Sequence, residues 1–360
     1  MYYAELSLAT QTAFAGLDTA AKQEELQRHV GHVPGGFALK AVKGKRFWYH
    51  QARSADAHLV QTYVGPDDER TRSLIDHHKQ QRGSASQQHL QALGKAAVAL
   101  GCADIPTKHA RVIRRLADAG LFAAGGILVG THAFLAYQNM LGVRWVQGAT
   151  TLDLDFAHSG RNVSLALPSN WQVQTRTAIE SLQMGFLPNI SGTTFRKADE
   201  PDFDLDFLTV RGRGGEKPIV VAQLGIALQP LRFMDFSMED TTRSTLLYSG
   251  GAIVVNLPNP ARYAVHKLLV CAERPIEQRV KANKDVVQAA ALMAWHLHND
   301  TAALQVAMRD VLTRGPTWAR QFKTGLQRLE AGLRAQVAAL ISDSVQPQTK
   351  EIKEKIERAQ

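Results

Sequence analysis

The sequence predicts an α/β protein with an amino-terminal extension that contains β structure and a carboxy-terminal helical domain. Three observations predict it. A short apolar run at 127–129 ends on Gly130-Thr131 and leads into a helix-like segment at 131–139. Two separate stretches, 151–156 and 203–209, alternate apolar residues with aspartate at period two, as a strand with one packed face does. From 261 onward, helical periodicity replaces the strands.

Taken in order, residues 1–30 read as a polar helix, broken near Gly35-Gly36. Strands are expected at 37–42 and 46–50 with a turn at Gly44-Lys45, and a third at 57–64 before Gly65-Pro66. Tyr49 and Tyr63 would face a small sheet core. The run Lys45, Arg46, Phe47, Trp48, Tyr49 interleaves basic and aromatic residues, a composition that suits stacking on nucleic-acid bases as well as a packed hairpin. Residues 69–100 read as a helical connector rich in Gln and His, and Pro106 opens a helix running through Leu116. Further strands are expected at 162–166, 219–221 and 253–257, with helices at 173–183, 261–271, 281–298, 301–313 and 317–341. This gives an extension over 1–105, a catalytic domain over 106–257, a helical domain over 258–345, and a charged tail over 346–360.

Composition narrows the function. At 360 residues the chain is long enough for two or three packed units. The 42 Lys+Arg against 33 Asp+Glu give +9, which favours a polyanionic partner. No apolar run is long enough to span a bilayer, and the first residues lack a secretion signal. Two isolated cysteines, Cys102 and Cys271, exclude a disulfide framework or zinc cluster and fit a reducing, cytoplasmic interior.

The chemistry rests on carboxylates. On a strand over 151–156, Asp153 and Asp155 share a face and repel each other. A divalent cation, Mg2+ or Mn2+, removes that cost. Nucleotidyl transfer needs such ions to stabilise the attacking and leaving oxygens at an α-phosphate. A third carboxylate from a neighbouring strand completes the ligand set: Asp206 first, Asp204 as the alternative. Gly130 lets a phosphate approach a helix start whose amides lack partners, and Thr131 adds a hydroxyl.

These residues resemble the DNA polymerase beta-like nucleotidyltransferase superfamily, with its Gly-Ser or related pair, Asp-x-Asp strand and later acidic strand. The match runs through Gly130-Thr131, Asp153 with Asp155, and Asp206. Threonine replaces the common serine, and the gap to the acidic pair is long. More closely, LVGTHAF, TLDLDFA, LDFLT, NLPNPARYAVHKLLV and KANKD are similar to the bacterial NTP_transf_8 family, over residues 40 to 300. The resemblance implies a mixed-sheet polymerase beta-like core, a nucleoside triphosphate co-substrate and a divalent metal. A broader likeness to nucleotidyltransferase toxins of abortive-infection systems implies that Lys267 contacts phosphate. It also implies that Lys284 binds the triphosphate tail, while Asp285 orients Lys267 or Arg274. It allows RNA or protein as acceptor and an antitoxin or regulatory partner. The alternative function is a non-catalytic protein on the same fold that binds nucleic acid or another partner.

Overall fold

The computed structural model describes residues 1–29, 36–53, 59–81, 85–151, 153–159, 172–212 and 214–341. The strand expected at 162–166, the start of the one at 57–64 and the tail at 346–360 lie outside the described residues.

The centre is a seven-stranded mixed sheet. Its middle strand, Asp204–Val210, pairs in parallel with Leu154–His158 on one side. On the other side it pairs in parallel with Ile226–Leu231 along its second half and antiparallel with Thr194–Lys197 along its first. Ile127–Leu128 and Ile219–Val221 close the two ends, and Phe186–Pro188 extends the Thr194–Lys197 arm. The period-two reading holds on the middle strand: Leu205, Phe207 and Thr209 are buried, while Asp204, Asp206 and Leu208 are half-buried. Phe207 stacks on Phe156 at 5.4 Å and meets Phe195 edge-on at 5.8 Å, locking the three strands on their packed face.

The helical region is built as the sequence implies. Asn259 accepts from the Ala261 and Arg262 amides and Pro260 follows, so Pro260–Glu273 begins with two of its orphan donors satisfied. Arg279–Asn299 runs beside it. Asp300 accepts from the Ala303 amide to start Thr301–Thr313, and Gly315 precedes Pro316–Leu326. The expected helix over 317–341 is interrupted at 327–330 and resumes at 331–341. One apolar core runs from Ile105 to Val337 and joins sheet and helices.

The amino-terminal residues pack onto this body. Tyr3–Glu5 pairs antiparallel with Val143–Trp145. Phe14, Leu17 and Ala21 of the Leu8–His29 helix pack with Leu90 and Ala97 against Leu247, Ala252 and Val254. Those last three belong to the hairpin Thr241–Tyr248 and Gly251–Pro258, whose first strand the sequence reading missed. Gly36–Val42, Lys45–Arg53 and Leu59–Pro66 form a separate antiparallel sheet. Its first turn is Lys43-Gly44, one residue earlier than expected, with φ of 48° and 76°. Two consecutive positive φ values match the twist of a tight hairpin.

Candidate active site

The Leu154–His158 strand begins later than its sequence pattern suggests. Asp153 lies just before it, not within it, because pairing with the middle strand starts at Leu154 opposite Leu205. The expectation that Asp153 and Asp155 share a strand face is corrected accordingly, although both still line one cleft of about 560 Å3. Asp206 lines it as well, and its register partner is Asp155. Asp204 is not among the lining residues: its Oδ2 meets Arg196 at 3.1 Å and its Oδ1 is buried without a hydrogen-bond partner.

Gly130 opens the Gly130–Met140 helix at φ +60°. A Cβ there would stand 1.9 Å from Asp155 Oδ2, so only glycine admits both the turn and the carboxylate beneath it. Among the described residues no side chain caps this helix start, and Gly130 and Thr131 both line the cleft. The Thr131 hydroxyl accepts from Gln288 Nε2 at 3.3 Å, and the same amide donates to the Gly148 carbonyl at 2.8 Å.

The helices supply positive charge. Asp285, nearly fully buried, receives Lys267 Nζ at 2.7 Å and Arg274 Nε at 2.6 Å. It therefore holds both cations, where the sequence reading gave it one or the other. Lys267 also lies over the Tyr263 ring at 5.2 Å. The Tyr263 hydroxyl is 2.8 Å from both the Gly130 carbonyl and Gln288 Oε1, tying the helix pair to the glycine turn. Lys284 donates to the Thr150 carbonyl at 3.2 Å, and Lys281 Nζ stands 3.8 Å from Asp153 Oδ2.

The charges strain one another. Burial, then the Asp206 charge, pushes the Asp155 carboxyl up to about 6. Burial also raises Asp206, opposed by a hydrogen bond from the Thr194 hydroxyl at 2.7 Å and helped by Asp204. Asp153 is raised by burial, with Lys281 opposing and Asp206 adding. Burial, then Lys267, lowers Lys284. Burial works against an ionised Asp285, yet Lys267 and Arg274 together hold it below the usual carboxylate range.

Among the described residues, no three His, Cys, Asp or Glu side chains are gathered closely enough to hold a metal ion as they stand. Asp153 faces Lys281, and Asp206 accepts from Thr194, its register partner on the adjoining antiparallel strand. The donor set nonetheless fits a hard divalent cation: three carboxylates line one cleft, and two of them are fixed in register.

Sequence reasoning missed Tyr263, Gln288 and Thr194. The first two had a legible signal. Tyr263 precedes Lys267 by four residues, and Gln288 follows Lys281 and Lys284 by seven and four, each on one helix face. Thr194 had none, being a threonine on a strand of four residues.

The fold is that of a nucleotidyltransferase. The chain belongs to the NTP_transf_8 nucleotidyltransferase family, whose model matches residues 107–313, more than half of the sequence. Among solved structures, an antigenic nucleotidyltransferase-like protein from Paracoccidioides brasiliensis matches at 15% identity, over 62% of this chain and 95% of its own, with a TM-score of 0.29. No curated protein matches.

Proposed function

We propose that the protein transfers a nucleoside monophosphate from a nucleoside triphosphate to an acceptor hydroxyl, with Mg2+ or Mn2+ held by Asp153, Asp155 and Asp206. The observation that carries this reading is the register match of Asp155 and Asp206 in a cleft shared with Gly130, Thr131, Lys267 and Lys284. Bound there, a divalent cation supplies Lewis-acid stabilisation of the charge on the reacting phosphate.

The chain's own residues do the rest. The amides after Gly130 and the Thr131 hydroxyl bind phosphate oxygens. Lys267, fixed by Asp285, and Lys284 hold the β- and γ-phosphates and offset charge developing on the leaving pyrophosphate. The acceptor oxygen forms a bond to the α-phosphorus as the bridging bond to the β-phosphate breaks. The hydroxyl proton passes to Asp206 Oδ2, the oxygen that Thr194 does not occupy. The enzyme works in a reducing cytoplasm, a setting supported by its two buried free thiols, Cys102 and Cys271. Among the described residues, no helix is long and apolar enough to cross a membrane.

The test is to incubate the full chain with Mg2+ or Mn2+, total RNA or protein, and each nucleoside triphosphate labelled on either its α- or its γ-phosphate. Label retained from the α position alone, and lost in Asp155→Asn and Asp206→Asn, is the expected result. Retention of γ label would make the reaction a phosphoryl transfer and reject the assignment.

A further inference from the structure

The sheet of Gly36–Val42, Lys45–Arg53 and Leu59–Pro66 differs from the rest of the fold. None of its described apolar side chains belongs to the buried core. On one face, Phe47 and Tyr49 of the middle strand flank Tyr63 of the next, with ring centroids 5.9 Å and 5.8 Å apart. Tyr63 remains 55% exposed. Trp48, which follows Phe47 in the chain, is instead tied to Asp67 Oδ1 at 3.0 Å. Phe47 and Tyr49 are half-buried and Tyr63 is the exposed member of the cluster, an aromatic surface of the kind that marks an interaction site.

Charge selects the partner. From Gly36 to Arg53 the sequence carries Lys40, Lys43, Lys45, Arg46 and Arg53 and no Asp or Glu; of these, Arg46 is paired with Asp67 at 2.8 Å and the lysines carry the charge of the face. Lys40 Nζ sits 5.9 Å over the Tyr49 ring, donating to Gln61 Oε1 at 2.6 Å, so an ammonium stands inside the aromatic patch. The cores of protein–protein interfaces are depleted in lysine. Aromatic faces with cations among them match a strand of unstacked bases joined by phosphates. Duplex bases are already stacked, whereas RNA loops and ends offer bases that splay onto such rings.

We propose that this face docks single-stranded RNA, and that the docked RNA is the acceptor. The acceptor role rests on the nucleotidyl-transfer reading; the docking stands on the sheet alone.

The experiment uses the full chain and a fluorescein-labelled single-stranded RNA of mixed sequence. Anisotropy is followed against salt, beside DNA of the same sequence and the RNA duplex. The single-stranded RNA is expected to bind tightest. The Phe47→Ala, Tyr63→Ala double variant should weaken it by about tenfold or more, the range that loss of base stacking gives. Tyr63→Phe, which keeps the ring face, should bind as the native chain does. Lys40→Gln should flatten the salt dependence by about one phosphate contact. An unchanged urea midpoint in the double variant excludes loss of fold, and Tyr63→Ala alone, at the largely exposed ring, should weaken the RNA in the same direction without touching the half-buried Phe47. Native-like RNA binding by the double variant, or tighter binding of the DNA strand, would overturn the proposal. Nucleoside triphosphate binding, read separately by thermal shift, distinguishes the two readings. If it persists while RNA ignores the sheet variants, the docking face alone is wrong. If RNA binding behaves as expected while α label is never transferred, the transfer reading is wrong and the acceptor role falls with it.

Discussion

Asp155 and Asp206 are register partners on adjacent parallel strands, so backbone hydrogen bonding holds two carboxylates side by side. Burial, with the Asp206 charge beside it, pushes the Asp155 carboxyl up to about 6, so its ionisation opposes folding. The sign follows from the direction. The folded state binds the proton more tightly, so native stability falls as pH rises from about 4 through about 6. In metal-free protein, Asp155→Asn should therefore gain about 1–3 kcal/mol at pH 7.5, a gain that vanishes below pH ~4. Urea midpoints across pH measure it. Equal midpoints for the two chains at pH 7.5 would remove the case for electrostatic strain at the site.

Gly130→Ala should disable the cleft through one methyl group. The added Cβ meets Asp155 Oδ2 at 1.9 Å, and φ +60° disfavours any side chain. A loss of about 1–3 kcal/mol is expected, together with loss of transfer. The same substitution in an Asp155→Gly background should cost only the backbone part, so the two changes are non-additive. A double-mutant cycle by chemical denaturation reads the coupling, and strict additivity would refute the contact.

Asp285→Asn should act with the opposite pH signature. Lys267 and Arg274 would lose their shared counter-charge in a buried position, costing about 3–5 kcal/mol. Asp285 is held below the usual carboxylate range, so its contribution is complete above pH ~4 and is lost as pH falls through its folded value. The stability gap between native chain and variant should thus be flat from pH 5 to 8 and close only in acid, as urea midpoints across that range will record. Triphosphate affinity should fall in parallel at neutral pH, because Lys267 loses its fixed position.

How much of this was legible in the sequence depends on range. Asp155, Asp206 and Gly130 were readable because alternation and a glycine before a helix are local signals. Asp153 was placed inside a strand because the alternation continues through 151–156, whereas tertiary pairing begins only at Leu154. The seating of Asp285 between Lys267 and Arg274 needs two helices to pack and has no local pattern. The strand Thr241–Tyr248 was missed because its first half, Thr241-Thr242-Arg243-Ser244, has no apolar residue and so no apolar period. The turn at Lys43-Gly44 was displaced by one residue because lysine is an unusual choice at positive φ.

The central claim is that Asp153, Asp155 and Asp206 hold a divalent cation beside a triphosphate. The most direct measurement is Mn2+ binding by electron paramagnetic resonance in the presence of a non-hydrolysable nucleoside triphosphate. The native chain should take up Mn2+, and the Asp155→Asn, Asp206→Asn double variant should bind it at least about tenfold more weakly, as loss of two charged ligands requires. Mn2+ uptake equal in the two proteins would contradict the account.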